Sequence, residues 1–166
     1  ALAKDTNNPH IIIEGVSGIG KKSITMAFIK ESVDQFGLNG NDVYKMQNIE
    51  LLMSYNSKDI ILDLQKSLYH YNLNPSNYGI YDRHIVQDFL KNQFRYKNIT
   101  KYPYKNVIIR NAENLSLDAQ QSLRRTLETR IKNSRFIFLI NTDKQVGWII
   151  AVNSRGIRIR MASPRK

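Results

Sequence analysis

The sequence predicts an α/β fold of three layers, α/β/α, with a mainly parallel sheet in the middle. Three observations carry that expectation. Short continuous apolar runs, Ile11-Ile12-Ile13, Val107-Ile108-Ile109 and Phe136 to Ile140, suit strands buried on both faces. Stretches with apolar residues at helical spacing lie between them. A glycine-rich turn joins the first run directly to the first helical stretch. With 166 residues and 42% hydrophobic content, the chain suits one domain with a real core.

The elements follow in order. Residues 1–10 are polar and end in Pro9-His10, a loop into the first strand. Residues 21–36 read as a helix through Ile24, Ala27, Phe28 and Val33, with Met26 and Ile29 alongside, and Gly37 and Gly40 terminate it. Val43 to Met46 reads as a strand. Ile49–Met53 and Ile60–Leu64 read as two arms around the polar turn Asn56-Ser57-Lys58-Asp59. Tyr69, Tyr71 and Leu73 alternate with polar residues, so a β-rich insertion follows the first helix. Asn74 to Asn77 is a turn. Asp82 is placed to cap a helix over 83–95, in which Ile85, Val86, Phe89, Leu90 and Phe94 recur at helical spacing. Ser116 is placed to cap another, with Asp118 in its first turn and a Leu123, Leu127, Ile131 stripe. Val146–Val152 reads as a short helix, and Ile157 and Ile159, alternating with Arg158 and Arg160, as a last strand.

Charge is unevenly spread along this order. Residues 1–82 carry seven Lys/Arg and nine Asp/Glu, net −2, whereas residues 83–166 carry eighteen and five, net +13. A polyanionic partner for the second half and a generally basic surface are the two readings of that imbalance. No run of 18 apolar residues is present, so no membrane span and no membrane partner are expected. No signal-peptide pattern opens the chain, and its initial Ala suggests processing or a fragment. The absence of cysteine excludes disulfides and thiolate zinc sites.

The glycine-rich turn has a chemistry of its own. Gly15-Val16-Ser17-Gly18-Ile19-Gly20-Lys21-Lys22-Ser23 between a strand and a helix is the pattern of a phosphate-cradling P-loop. Glycines let the backbone present N–H groups to phosphate, and the helix N-terminus adds partial positive charge. Lys21 sits at the phosphate lysine. The usual pattern ends GK[ST], with the hydroxyl on Mg²⁺; here Lys22 follows Lys21, and Ser23 comes one place late. Lys22 cannot ligate a cation but can touch phosphate directly.

The same segment, with its Pro9-His10 lead and GKKS ending, resembles the sliding-clamp loader small subunits, in particular the third-subunit type of replication factor C. So do Leu73-Asn74-Pro75-Ser76 with Asp82-Arg83, and Asp118-Ala119-Gln120-Gln121-Ser122-Leu123-Arg124-Arg125-Thr126-Leu127-Glu128. Asn153-Ser154-Arg155-Gly156 matches the family's Ser-Arg-Cys motif with Gly for Cys. The resemblance covers nearly all of the chain. It implies the RecA-like core of a AAA+ module over 1–166, a P-loop NTPase fold, with the family's helical lid and collar not within this chain. It implies a nucleotide cofactor, ATP or ADP, and a hetero-oligomer of clamp-loader subunits acting on a sliding clamp and primer–template DNA. The setting it implies is the nucleus, or a cytoplasmic replication site for a viral protein.

The resemblance also assigns residues. Active relatives end the strand at 107–109 with Asp-Glu, for Mg²⁺ and for the attacking water; here Arg110 and Asn111 stand in those places. Neither is a carboxylate or a general base, so Mg²⁺ is doubtful and hydrolysis in cis is not expected. Glu113, two residues on, reads as too distant to help. Asn141 falls at the γ-phosphate sensor, and Arg155 at an arginine finger acting in trans on a neighbour's nucleotide. Arg124 or Arg125 would face that neighbour, the alternative being an exposed basic face. Arg83, His84 and Ile85 begin the helix that tracks the DNA backbone in the family. Gln87, Leu90 and Phe94 echo a clamp-binding box, although core packing explains Leu90 and Phe94 better.

Overall fold

The computed structural model describes residues 10–95, 100–129, 134–142 and 156–163. The apolar run near the amino end forms β1 (His10–Gly15), every residue of it buried. It lies between β6 (Ser134–Asn141) and β7 (Gly156–Arg160), parallel to both. Beyond β6 come β5 (Lys105–Ile109) and β4 (His70–Leu73), also parallel. Two antiparallel strands complete that side, β3 (Lys58–Lys66) and then β2 (Gln47–Tyr55) at the edge. The seven-stranded order is β2-β3-β4-β5-β6-β1-β7. The sheet is thus mainly parallel, and the expected β-rich insertion is an antiparallel hairpin extending it.

Alternate residues of the central strands feed two cores, as a period of two requires. On one face Ile11, Ile13, Ile108, Ile137 and Leu139 pack with Met26, Ile29 and Val33 of helix α1 (Lys21–Gln35). On the other, Ile12, Val107, Ile109, Phe136 and Phe138 pack with Ile85, Val86, Phe89 and Leu90 of α2 (Asp82–Arg95). Leu123 and Leu127 of α3 (Leu117–Thr129) join the same cluster. Each of these side chains contributes about 1.5–3 kcal/mol of burial. Leu90 is therefore a core residue. Ile131 and the Val146–Val152 stretch lie outside the described residues.

Three expectations about elements are corrected. The α1 stripe facing the sheet is Met26, Ile29 and Val33, while Ile24 and Ala27 are exposed. The loop fixes the starting angle of α1, which an apolar tally does not register. Val43–Met46 is no strand: a 3-10 turn spans Gly40–Tyr44, opened by the Asn39 side chain accepting from the Asn41 N–H at 3.1 Å. Gly40 lies so close to α1 that a Cβ there would meet the Lys30 carbonyl at 2.6 Å. Asp82 opens α2, but its carboxylate serves α3 instead, accepting from the Ser116 N–H at 2.7 Å and the Ser116 hydroxyl at 2.8 Å. Ser116 in turn caps α3 by accepting from the Ala119 N–H. The starts of α2 and α3 are thereby tied together.

Buried polar groups sit at the amino ends of the parallel strands. His10 accepts from the Phe136 N–H at 3.1 Å, and burial, reinforced by Arg135, pushes its pKa down to about 4. His70 contacts the Ser67 hydroxyl through Nδ1, and burial together with the Lys22 charge pushes it likewise to about 4. Arg135, 1% exposed, stacks its guanidinium over Phe28 and Tyr104.

Candidate functional site

Opposite those histidines, the carboxyl ends of β1, β5 and β6 converge. Gly15 ends β1 in register with Asn141 at the end of β6. A Cβ at Gly15 would meet Ile19 at 2.9 Å and Met161 at 3.2 Å, so a side chain there requires both neighbours to shift. Gly18 and Gly20 follow with φ of +80° and +99°, left-handed conformations that cost other residues about 1–2 kcal/mol. Gly20 is also the N-cap of α1, so the turn delivers its backbone directly to a helix N-terminus. Lys21 is buried, and its ammonium donates to the Gly15 and Val16 carbonyls, each at 2.8 Å.

The two residues after it diverge. Lys22 reaches away from the turn, donating to Gln65 Oε1 of β3 at 3.2 Å, and the same oxygen accepts from Asn72 of β4 at 3.3 Å. Ser23 is exposed. Neither supplies a hydroxyl in the usual register.

The end of β5 is built differently. The Arg110 N–H donates to the Leu73 carbonyl, which keeps the chain in line with β4 for one more residue. Asn111 then turns left-handed, φ +49°, a conformation Asn tolerates better than most residues. A 3-10 turn over Ala112–Asn114 follows and swings Glu113 back towards the sheet. Its carboxylate accepts from Asn141 twice, from Nδ2 at 3.0 Å and from the backbone N–H at 3.3 Å. Asn141 Nδ2 also reaches Asn111 Oδ1 at 3.2 Å. This corrects the expectation that Glu113 is too far: linear spacing does not show the chain reversal at Asn111. The fold therefore brings Gly15, Asn111, Glu113 and Asn141 to one place, with Arg110 beside them.

The comparisons with known proteins fit this geometry. The sequence matches the family profile described as DNA polymerase III, delta subunit, over residues 1–165. The chain belongs to that family. Its resemblance to replication factor C subunits runs along nearly its whole length. It is 33% identical to replication factor C subunit 5 of Neurospora crassa, over 99% of this chain and 46% of the relative. It is 33% identical to replication factor C subunit 3 of Arabidopsis thaliana, over 98% of this chain and 46% of the relative. The chain thus spans less than half the length of these relatives. The fold resembles the crystal structure of a DNA polymerase III gamma subunit-related protein from Thermotoga maritima, with a TM-score of 0.56 and 12% identity, covering 98% of this chain and 44% of that one.

The remaining residues that the sequence singled out fall elsewhere. Ser154 and Arg155 lie outside the described residues. Arg124 and Arg125 are exposed on α3, flanked by the buried Leu123 and Leu127. Arg83 is exposed at the start of α2, 3.9 Å from the Asp118 carboxylate. His84 stacks on Tyr55 of β2, ring centroids 3.4 Å apart. Ile85 is fully buried in the core, which corrects the expectation of a DNA contact through its side chain. Sequence reasoning also missed Glu14, 2% exposed, which pairs with Arg158 and, at 3.2 Å, with Arg160 of the neighbouring β7. The alternating Ile/Arg pattern was the available signal: Arg158 and Arg160 share one strand face, and Arg160 lies directly opposite Glu14.

Proposed function

We propose that this chain is the nucleotide-binding core of a clamp-loader subunit that holds ATP or ADP without turning it over. The residues fit the nucleotide. Gly18 and Gly20 shape a turn whose N–H groups and following helix N-terminus suit the phosphates, and Lys21 supplies the cation. The residues do not fit Mg²⁺ in the usual way: Lys22 stands for the hydroxyl ligand, and Arg110 and Asn111 stand for the two acids. The single observation that carries the reading is this pairing of a glycine turn in left-handed conformations with Arg110 and Asn111, rather than two acids, directly after β5.

In the proposed division of labour, the chain assembles with other clamp-loader subunits. It donates Arg155 to a neighbour's nucleotide, where a guanidinium stabilises charge on the transferring phosphoryl group. Together they place a sliding clamp on primer–template DNA, with the start of α2 at Arg83 and His84 towards the phosphates. Arg124 and Arg125 face the adjoining subunit. The domain assignment, core without lid or collar, belongs to the same proposal.

Calorimetry with ATP, followed by phosphate-release assays on the same chain, tests it. Binding without release is expected; sustained release sinks the silent-site reading. In an assembled complex, Arg155→Ala lowers ATPase while leaving assembly intact. A second reading, turnover in cis, draws on the Glu113–Asn141 hydrogen bonds, because they hold a carboxylate beside the carboxyl end of β6. It requires release that disappears in Glu113→Gln.

A further inference from the structure

The hairpin β2–β3 offers its two faces to different surroundings. Ile49, Leu51, Met53, Leu62 and Leu64 turn into the core under α2 and α3. The alternate residues face the α1 side, where Lys22 reaches Gln65 at one end but the middle of the hairpin is left open: Leu52 is 69% exposed and Ile61 55%. These two are direct cross-strand partners, forming one apolar pair in the middle of the face. On one side of it Glu50 lies directly opposite Asp63; on the other, Asp59 follows, opposite Ser54. The outward positions of both strands carry no Lys or Arg. Among the described residues, none of these three acids forms an ion pair.

This arrangement is costly in isolation. Like charges directly opposite each other weaken a hairpin, and exposed Leu and Ile gain nothing from water. It also contrasts with the chain as a whole, which has a formal net charge of +11. A surface meant for nucleic acid would repel phosphate here. We infer that the outward face of the β2–β3 hairpin is a docking surface for a protein segment that carries apolar anchors flanked by Lys or Arg. The Leu52–Ile61 pair receives the anchors, and Glu50, Asp63 and Asp59 receive the cations. The hairpin's edge position leaves that face open to a segment lying along it. The inference is independent of what the P-loop holds.

NMR on the 166-residue chain tests it with three probes: a short peptide of alternating Lys and Leu, its Glu/Leu counterpart, and single-stranded oligo-dT. The Lys/Leu peptide is expected to bind in a salt-dependent way, with amide shifts concentrated in residues 47–66. Leu52→Ser and Glu50→Lys each weaken it about tenfold. Glu50→Lys should at the same time raise the melting temperature by about 2 °C, because it removes a like-charge pair. That split, a more stable hairpin that binds less, is what a purely structural role does not produce. Equal binding of the Glu/Leu peptide, oligo-dT shifts at the same residues, or Lys/Leu binding untouched by Glu50→Lys overturns the inference. Concentration-dependent shifts at 47–66 without any peptide overturn it in favour of a second copy of this chain.

Discussion

The carboxyl ends of β1 and β5 stand two strands apart in one parallel sheet, and they are equipped in opposite ways. At β1 almost everything is backbone: glycines at φ +80° and +99°, a helix start and one lysine. At β5 everything depends on side chains, and those present are Arg110, Asn111 and, after a reversal, Glu113. Holding a phosphate needs N–H groups and positive potential, which chain geometry supplies. Breaking its bond needs a carboxylate at a defined point, which only residue identity supplies. A chain can therefore lose the second capability by a few substitutions while its fold preserves the first.

Removing the one side chain that the β1 end depends on breaks the comparison most strongly. Lys21→Ala should weaken nucleotide binding about 10- to 100-fold, the loss of a charge-assisted contact, by calorimetry, with circular dichroism unchanged. Unaltered affinity would mean that the backbone alone suffices, or that no nucleotide binds there.

Acid tests the sheet beneath both ends. His10 starts β1 and His70 starts β4, the strand whose last carbonyl holds Arg110. Burial lowers both from the ordinary 6.5 to about 4. Between those values the unfolded chain binds protons that the folded chain refuses. Stability is thus fully present above pH 6.5 and falls as pH drops towards 4. At pH 5.5 the loss should be about 1 kcal/mol per histidine, read by urea unfolding. His10→Gln should shrink that slope; an unchanged slope refutes the assignment.

The smallest effect is at Asn111. Asn111→Gly removes the strain of a left-handed residue and should leave stability within about 0.5 kcal/mol of the parent, by thermal melting. A larger loss would show that the Asn141–Asn111 hydrogen bond, not the backbone turn, holds the β5 end in place.

The layers, the strand runs and the glycine-rich turn between β1 and α1 were legible because each is a local pattern with a period or a spacing. Ile11–Ile13 and Phe136–Ile140 read as strands buried on both faces because they are short and rich in β-branched or aromatic residues, and the glycines between the first of these runs and the first helical stretch mark the turn. The inward stripe of α1 was not legible, since Ile24 and Met26 are both apolar and the loop decides which faces the sheet. Val43–Met46 has strand-forming residues, but Gly40 pressed against α1 leaves room only for a tight turn.

The sequence by itself determined which atoms were available: a lysine directly after a glycine-rich turn, no acid at positions 110 and 111, and no cysteine anywhere. Tertiary structure decided where they stand. It turned Glu113 back onto Asn141, sent Lys22 away from the P-loop to Gln65, and gave Asp82 to Ser116 rather than to its own helix. The physical reason is the same in all three. A side chain's chemistry is fixed by its residue, but its partner is fixed by chain reversals and strand order. In this fold those join residues dozens of positions apart.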